Sequence, residues 1–443
     1  MCQPLRVVAT VIASALIAGC PQSGTRSGGV AATASDLSVC PNPTELSLPP
    51  GFCATVFADR LGPARHMVVR DNGDLYVALR GDRGGIVALR DTDGDGVADQ
   101  RARFGKKGGT GIAIHDGYLY FATPMAIVRY RFDEDDALKP GDEPELVVGG
   151  FESQRAHASK TVEFDGRGGL LTNIGAPSNA CQRPQRSVGR PGQDPCPELT
   201  RHAGIWRFDA DRIGQDAYSD GERYAGGIRN AIANAWHPRF DRLYAVQHGR
   251  DQLSELWPDK FTQAQRVELP AEEFLEVRQG DEFGWPYCFF DPFAQATVLA
   301  PEYGGDGRIV GRCAAYKKPL LGFPAHWAPN DLVFYVGRHF PSRYRDGAFV
   351  AFHGSWNRAP APQRGYNVVF VPMRDGELAA AGAGAYEIFA DGFAQTDTIR
   401  GPADARYRPT GLAVSPDGRL YISDSRKGRI WRIEYVTPAE SGL

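Results

Sequence analysis

The sequence predicts an all-β protein, a six-bladed β-propeller, from three observations. One turn-and-strand segment recurs six times, an alternating strand follows most copies, and an apolar stretch near the start can complete the last blade. The copies are Asn72-Gly-Asp-Leu-Tyr-Val-Ala-Leu, Asp116-Gly-Tyr-Leu-Tyr-Phe-Ala-Thr, Arg167-Gly-Gly-Leu-Leu-Thr-Asn-Ile, Phe240-Asp-Arg-Leu-Tyr-Ala-Val-Gln, Arg345-Asp-Gly-Ala-Phe-Val-Ala-Phe and Asp417-Gly-Arg-Leu-Tyr-Ile-Ser-Asp. Asn, Asp and Gly supply the positive φ of a tight hairpin turn, and the β-branched and aromatic residues that follow suit a buried pleated surface.

A second strand with charge on alternate positions follows in Gly85-Ile-Val-Ala-Leu-Arg, Ala126-Ile-Val-Arg-Tyr-Arg, Gly204-Ile-Trp-Arg-Phe-Asp, Asn367-Val-Val-Phe-Val-Pro and Arg429-Ile-Trp-Arg-Ile-Glu. That alternation places it nearer the outside of a blade. The apolar stretch 52–57 is expected beside 430–435, closing the ring and leaving only short edges. Spacing between copies grows from 44 residues (Leu75 to Leu119) to 106 (Leu243 to Phe349), so long insertions fall in the fourth and neighbouring blades. Loops on a rigid scaffold are where sites are built. A β-sandwich does not repeat in this way.

The N-terminus reads as an export signal: Arg6 leads into the apolar run 7–18, and Leu16-Ile17-Ala18-Gly19-Cys20 resembles a bacterial lipobox. Residues 1–19 are expected to be a lipoprotein signal peptide, with Cys20 acylated. Residues 20–38, rich in Gly, Ser, Thr and Ala, form a flexible tether, and 39–437 form the propeller. The apolar run falls short of the roughly 20 residues that span a bilayer. The protein is thus expected in the cell envelope, held by the lipid anchor alone and facing the periplasm or the outside. A net charge of -3 and the lack of a basic tract argue against nucleic acid as a partner.

Eight cysteines are present; apart from Cys2 and Cys20, they fall into neighbouring pairs, Cys40 with Cys53, Cys181 with Cys196 and Cys288 with Cys313. An oxidising compartment favours disulfides, and local pairing is expected, although spacing alone does not choose the connectivity. No Cys-x-x-Cys-His occurs, so electrons from any redox reaction leave to an external acceptor, a cytochrome or a quinone.

Five motifs then follow in order: His157-Ala-Ser-Lys-Thr-Val-Glu-Phe-Asp-Gly, Gly227-Ile-Arg-Asn-Ala with His237-Pro238, Gly280-Asp-Glu-Phe-Gly-Trp-Pro-Tyr-Cys, His353-Gly-Ser-Trp-Asn-Arg, and Arg408-Pro-Thr-Gly-Leu-Ala-Val-Ser-Pro-Asp-Gly. The ordered set resembles the glucose/sorbosone dehydrogenase family, enzymes that use pyrroloquinoline quinone (PQQ), and is closer to its sorbosone and pyranose branch. The resemblance implies oxidation of an aldose or sorbosone-like sugar, with PQQ and Ca2+ as cofactors. Such chemistry needs a base for the hydroxyl proton and an acceptor for the hydride. By resemblance His157 is the base. Arg229 and Asn230 contact the quinone, with Arg229 also stabilising its reduced form, and Arg408 and Arg406 are further guanidinium partners for its carboxylates. Arg358 falls near the family's lysine, in a local pattern that differs.

The carbonyls of Gly284 and Pro286 are the expected Ca2+ ligands, the other reading being a rigid turn that stacks Trp285. Separately, Asp91-Thr-Asp-Gly-Asp-Gly-Val-Ala-Asp resembles a calcium loop through Asp91, Asp93 and Asp95, but Ala102 stands where the bidentate Glu belongs, leaving a structural calcium or an acidic turn. Two other functions fit a six-bladed propeller: a calcium-dependent lactonase or esterase, and a non-catalytic envelope sugar-binding protein.

Overall fold

In a computed structural model, which describes residues 40, 44–132, 136–141 and 143–436, six antiparallel sheets surround one axis. The expected signal peptide, the expected acylated Cys20 and the expected tether lie outside the described residues. Blade 1 comprises Ala64–Val69, Leu75–Leu79, Gly85–Arg90 and Gln100–Phe104, in order from the axis outward. Blade 2 begins with Ile112–His115, blade 3 with Glu163–Phe164, blade 4 with Ala233–His237, blade 5 with Pro329–Phe334 and blade 6 with Pro409–Val414. These innermost strands pack against their neighbours around the ring.

Each of the six sequence copies is the hairpin turn between a blade's first and second strands together with the second strand itself. Leu75–Leu79, Tyr118–Ala122, Gly169–Ile174, Arg242–Gln247, Ala348–Phe352 and Leu420–Asp424 occupy equivalent places. Their side chains are almost wholly buried because both faces meet a neighbouring blade. Six apolar clusters fill the six gaps between blades, the gap between blades 5 and 6 being built on Tyr335, Phe349, Phe370, Leu420 and Trp431.

The ring closes with chain from both ends: Phe52–Ala58 pairs with Ile430–Tyr435, Phe52 facing Tyr435 and Cys53 facing Glu434. Blade 4's third strand, Glu272–Val277, carries no alternating signature and is separated from the second by a long insertion, so the repeat pattern did not reveal it.

Insertions sit where the spacing placed them. Residues 175–203 interrupt blade 3, and 248–271 and 278–320 interrupt blade 4. Disulfides Cys181–Cys196 and Cys288–Cys313 join the local partners, with Cα atoms 6.1 and 5.9 Å apart, and Cys40–Cys53 ties the entry to the closing strand. Trp285 and Tyr287 pack between the first two bridges, and the Tyr287 hydroxyl accepts the Cys196 N–H at 2.9 Å, so the insertions of blades 3 and 4 form one apolar unit. No helix among the described residues is long and apolar enough to cross a membrane.

Because the strands alternate in direction, loops joining second to third strands emerge on the same face as those leading from one blade to the next. All the site residues discussed below except those of the acidic 91–99 turn and the 280–288 loop come from connections on that face or from strand ends next to it.

Candidate active site

The face opens into an axial cavity of about 740 Å3. Cations converge on it: Arg65 from the innermost strand of blade 1, Arg80 from the next loop, Lys106 and Lys107 between blades 1 and 2, and Arg155 before blade 3. Asp82 is the single carboxylate in its lining.

Arg65 is 5% exposed, and its Nε is buried without a hydrogen-bond partner. Burial, with the charges of Arg80 and Arg408, pushes its pKa down to about 10, against a smaller opposing pull from Asp331. A buried guanidinium without a counter-charge is destabilising unless something anionic joins it. The cavity therefore has the electrostatics of an anion site.

His157 lies in the connection between blades 2 and 3 and lines this cavity. Its φ of 53° puts a non-glycine residue in the left-handed region. Gln154 holds it there, its Nε2 donating to the carbonyls of Ala156, His157 and Gly175 at 2.8, 2.8 and 3.0 Å. The His157 Nδ1–H donates to the Ala176 carbonyl at 2.6 Å, which fixes the tautomer and leaves the Nε2 lone pair without a protein partner. Burial and the nearby Arg229 charge push its pKa down to about 3, so the imidazole is neutral.

Gly175 is required at its position, because a Cβ there would stand 2.6 Å from the His157 Cβ and 2.9 Å from Asn230 Oδ1. Asn230 thus flanks the same spot as His157. Its Oδ1 is buried and accepts no hydrogen bond from the protein.

Arg229 sits beside His157, but its guanidinium is saturated by the protein. It donates to Gly249 O at 2.8 Å, Asn179 O at 3.3 Å, Asn179 Oδ1 at 3.0 Å and Asp251 Oδ2 at 3.1 Å. Arg408 donates to the carbonyls of His353 and Gly354 at 2.9 and 2.8 Å and thereby presents His353 to the cavity. His353 is held well below the usual imidazole range by burial and by the Arg408 and Arg65 charges.

None of the four predicted arginines lines this cavity: Arg229 and Arg408 stand behind its wall, bonded to backbone carbonyls, and the other two lie away from it. Arg358 is buried elsewhere, donating to Val267 O at 2.6 Å and pairing with Glu268 at 2.7 Å, while Arg406 is exposed and donates to Gln395 at 2.9 Å.

Nor do Gly284 and Pro286 fit a Ca2+ site. The Gly284 carbonyl accepts the Cys288 N–H at 3.0 Å, and Pro286 borders a separate void of about 20 Å3, lined also by Arg229, Arg250 and Glu273, that is too small for a hydrated cation site beside the axial cavity. The loop is instead the rigid turn of the other reading, with Trp285 Nε1 donating to Asn179 O at 3.1 Å.

The acidic loop emerges on the opposite face. Oxygens of Asp91, Asp93 and Asp99, without Asp95, lie within 4.8 Å of one another. Asp91 accepts the N–H groups of Gly94 and Gly96 at 2.8 Å each and faces Arg432 at 3.5 Å, so the turn caps itself.

Sequence reading missed the cavity's main cations, Arg65, Arg80, Lys106, Lys107 and Arg155. Their one signal is the polar pair Arg65-His66 in an innermost strand whose counterpart in blade 6 reads Thr410-Gly411. That contrast shows only once the blades are aligned.

The fold and the cavity define a class, a six-bladed propeller with a cationic axial pocket beside a neutral imidazole. A family model described as TrAA12-like matches residues 46–436, and the chain belongs to that family. A pyrroloquinoline quinone-dependent pyranose dehydrogenase of Coprinopsis cinerea is 24% identical over 432 residues, 89% of this chain and 55% of that protein. An uncharacterized protein of Borreliella burgdorferi is 26% identical over 215 residues, 48% of this chain and 49% of its own length. The chain thus spans about half the length of the curated relatives it matches.

Among solved structures, the holo form of the Coprinopsis pyranose dehydrogenase PQQ domain superposes with a TM-score of 0.72 at 22% identity, over 89% of this chain and 99% of that one. A calcium structure of the Trichoderma reesei family AA12 protein gives 0.72 at 20%, over 90% and 99%. The PQQ-bound aldose sugar dehydrogenase of Streptomyces coelicolor gives 0.51 at 17%, over 88% and 99%.

Proposed function

We propose that this protein is a PQQ-dependent sugar dehydrogenase that oxidises an aldose, pyranose or sorbosone-like sugar. The observation that carries the reading is that Arg65 and Arg80 line one cavity with a neutral His157, Arg408 adding its charge from behind the wall. The cavity fits a polycarboxylate: Arg65, with its unpartnered Nε, and Arg80 would hold the carboxylates, and Lys106 and Lys107 would screen the outer ones, while Asn230, its Oδ1 buried and unpartnered, stands next to His157 behind the lining. The chemistry that PQQ supplies when bound is a two-electron sink for the hydride leaving the sugar carbon.

The rest falls to the chain. His157 Nε2 takes the hydroxyl proton, the Ala176 carbonyl steadies the imidazolium so formed, and Asn230 orients the donor. Arg229 acts from behind, anchoring the loop that carries Asn230. Among these arginines Asp82 is the one carboxylate of the lining, so a bound dication would draw most of its anionic oxygens from the cofactor.

The N-terminal pattern supports a lipid anchor at Cys20 and an envelope location with an external electron acceptor. A calcium-dependent lactonase would need carboxylates converging on the axis, where this cavity presents cations and Asp82 alone. The test adds PQQ and Ca2+ to the purified apoprotein and follows dye reduction with a panel of aldoses. Sugar-dependent reduction is expected. PQQ binding without turnover, or lactone hydrolysis without PQQ, overturns the reading.

A further inference from the structure

A second cavity, of about 500 Å3, adjoins the axial one between blades 1 and 2, and the two share Lys106, Lys107, Thr123 and Met125 as a common wall. Its lining differs in kind. Phe104, Phe121, Val128 and Tyr130 make an apolar floor, Phe104 and Tyr130 meeting edge to face at 5.4 Å. Burial pushes the Tyr130 phenol up, so the floor carries no charge. Around the rim stand Arg103, Lys106, Lys107 and Lys139, with Glu143 the carboxylate of the lining among the described residues. Met125, 43% exposed, projects where the two cavities meet.

A sugar ring needs several directional hydrogen-bonding side chains. Here Thr123 and Glu143 are the only uncharged or acidic polar groups apart from the Tyr130 phenol. An apolar floor under a basic rim suits a flat aromatic body with an acidic substituent.

We infer that this groove binds the electron acceptor, an anionic planar quinone. The inference rests on the proposed dehydrogenase reading and adds to it the place and chemical class of the second substrate. Two electrons and two protons pass from the reduced cofactor to the quinone, whose two carbonyl oxygens become hydroxyls while the cofactor returns to its oxidised form. No heavy-atom bond forms or breaks. The two cavities share Lys106, Lys107, Thr123 and Met125, so a quinone in the groove would be separated from a cofactor in the axial cavity by that shared wall.

Two variants lie in the groove and outside the axial cavity: Ala126→Trp, which fills the groove, and Lys139→Glu, which reverses a charge on its exposed rim. Calorimetry on the PQQ-loaded protein, with 1,4-naphthoquinone-2-sulfonate as probe, reads binding apart from turnover. Saturable binding to the wild type is expected, weakened about tenfold by Ala126→Trp and about threefold by Lys139→Glu. The acceptor KM should rise in parallel, and the rate at which sugar reduces a stoichiometric amount of PQQ should stay unchanged. Undiminished affinity in both variants, or no binding to the wild type, overturns the groove. If sugar fails to reduce PQQ in the wild type, the dehydrogenase reading fails instead, and the calorimetric result still stands for the groove.

Discussion

His157 and Arg229 are joined through a single residue: the Ala176 carbonyl accepts the His157 Nδ1–H at 2.6 Å, and the Ala176 N–H donates to the Arg229 carbonyl at 2.8 Å. The imidazole and the arginine loop therefore move as one unit, although the Arg229 guanidinium points into the protein, toward Asn179 and Asp251. The arginine's influence on the histidine is electrostatic and positional.

Arg65 should behave in opposite ways toward stability and toward the cofactor. Arg65→Gln removes a buried charge whose desolvation outweighs the pull of Asp331, so the apoprotein should gain thermal stability. Losing a charge-assisted bond should weaken PQQ binding by roughly ten- to a hundredfold. Thermal melts and a PQQ titration check both. Arg358→Gln is the contrast: it should lower Tm, by breaking bonds to Val267 and Glu268, and leave PQQ affinity alone.

Gln154 should act as a positioning residue. Gln154→Leu deletes the donor shared by three carbonyls and lets His157 relax from its φ of 53°. A fall in kcat of about tenfold or more is expected, with PQQ affinity little changed. Titration of PQQ alongside steady-state kinetics separates this from general unfolding, which would lower both.

How far the sequence could be read follows from which signals are local. Six hairpin turns and the closing strand were legible because each is written within a few residues, as in Asp417-Gly418 before Leu420–Asp424. Neighbouring cysteines in the insertions found each other for the same reason. That His157 stands on the cavity was legible through its motif. Arg65 was not, since its charged surroundings arise from the hairpin of its own blade, which brings Arg80 near, and from ring closure, which brings Arg408. Arg358 was misplaced because the motif fixes its chain position and not the direction of its side chain, which turns toward Val267 and Ala325.

The innermost strand of blade 3 carries Glu163, whose pKa is pushed up to about 8 by burial, against the Trp236 N–H at 3.2 Å. The folded value lies above the unfolded one. Its favourable contribution is therefore complete below about 4.5 and is lost as pH rises through about 8. Glu163→Gln should flatten that stretch, so its stability relative to the wild type should grow between those two pH values. Urea unfolding at both ends of the window checks this, and a constant difference would contradict the assignment.

Cys181–Cys196 closes a loop with a sequence separation of 15 beside Asn179, the residue that holds Arg229 by both its carbonyl and its side chain. Replacing both cysteines by serine should cost about 3 kcal/mol of stability. It should also loosen the Arg229 loop, seen as faster amide exchange at residues 176–182.

The most direct test of the central claim is the rate at which sugar reduces stoichiometric PQQ in His157→Asn, followed in a single turnover. A cationic cavity that holds the quinone beside a proton-accepting imidazole predicts unchanged PQQ affinity and a rate lowered by about 10²- to 10⁴-fold. An undiminished rate in that variant would contradict it.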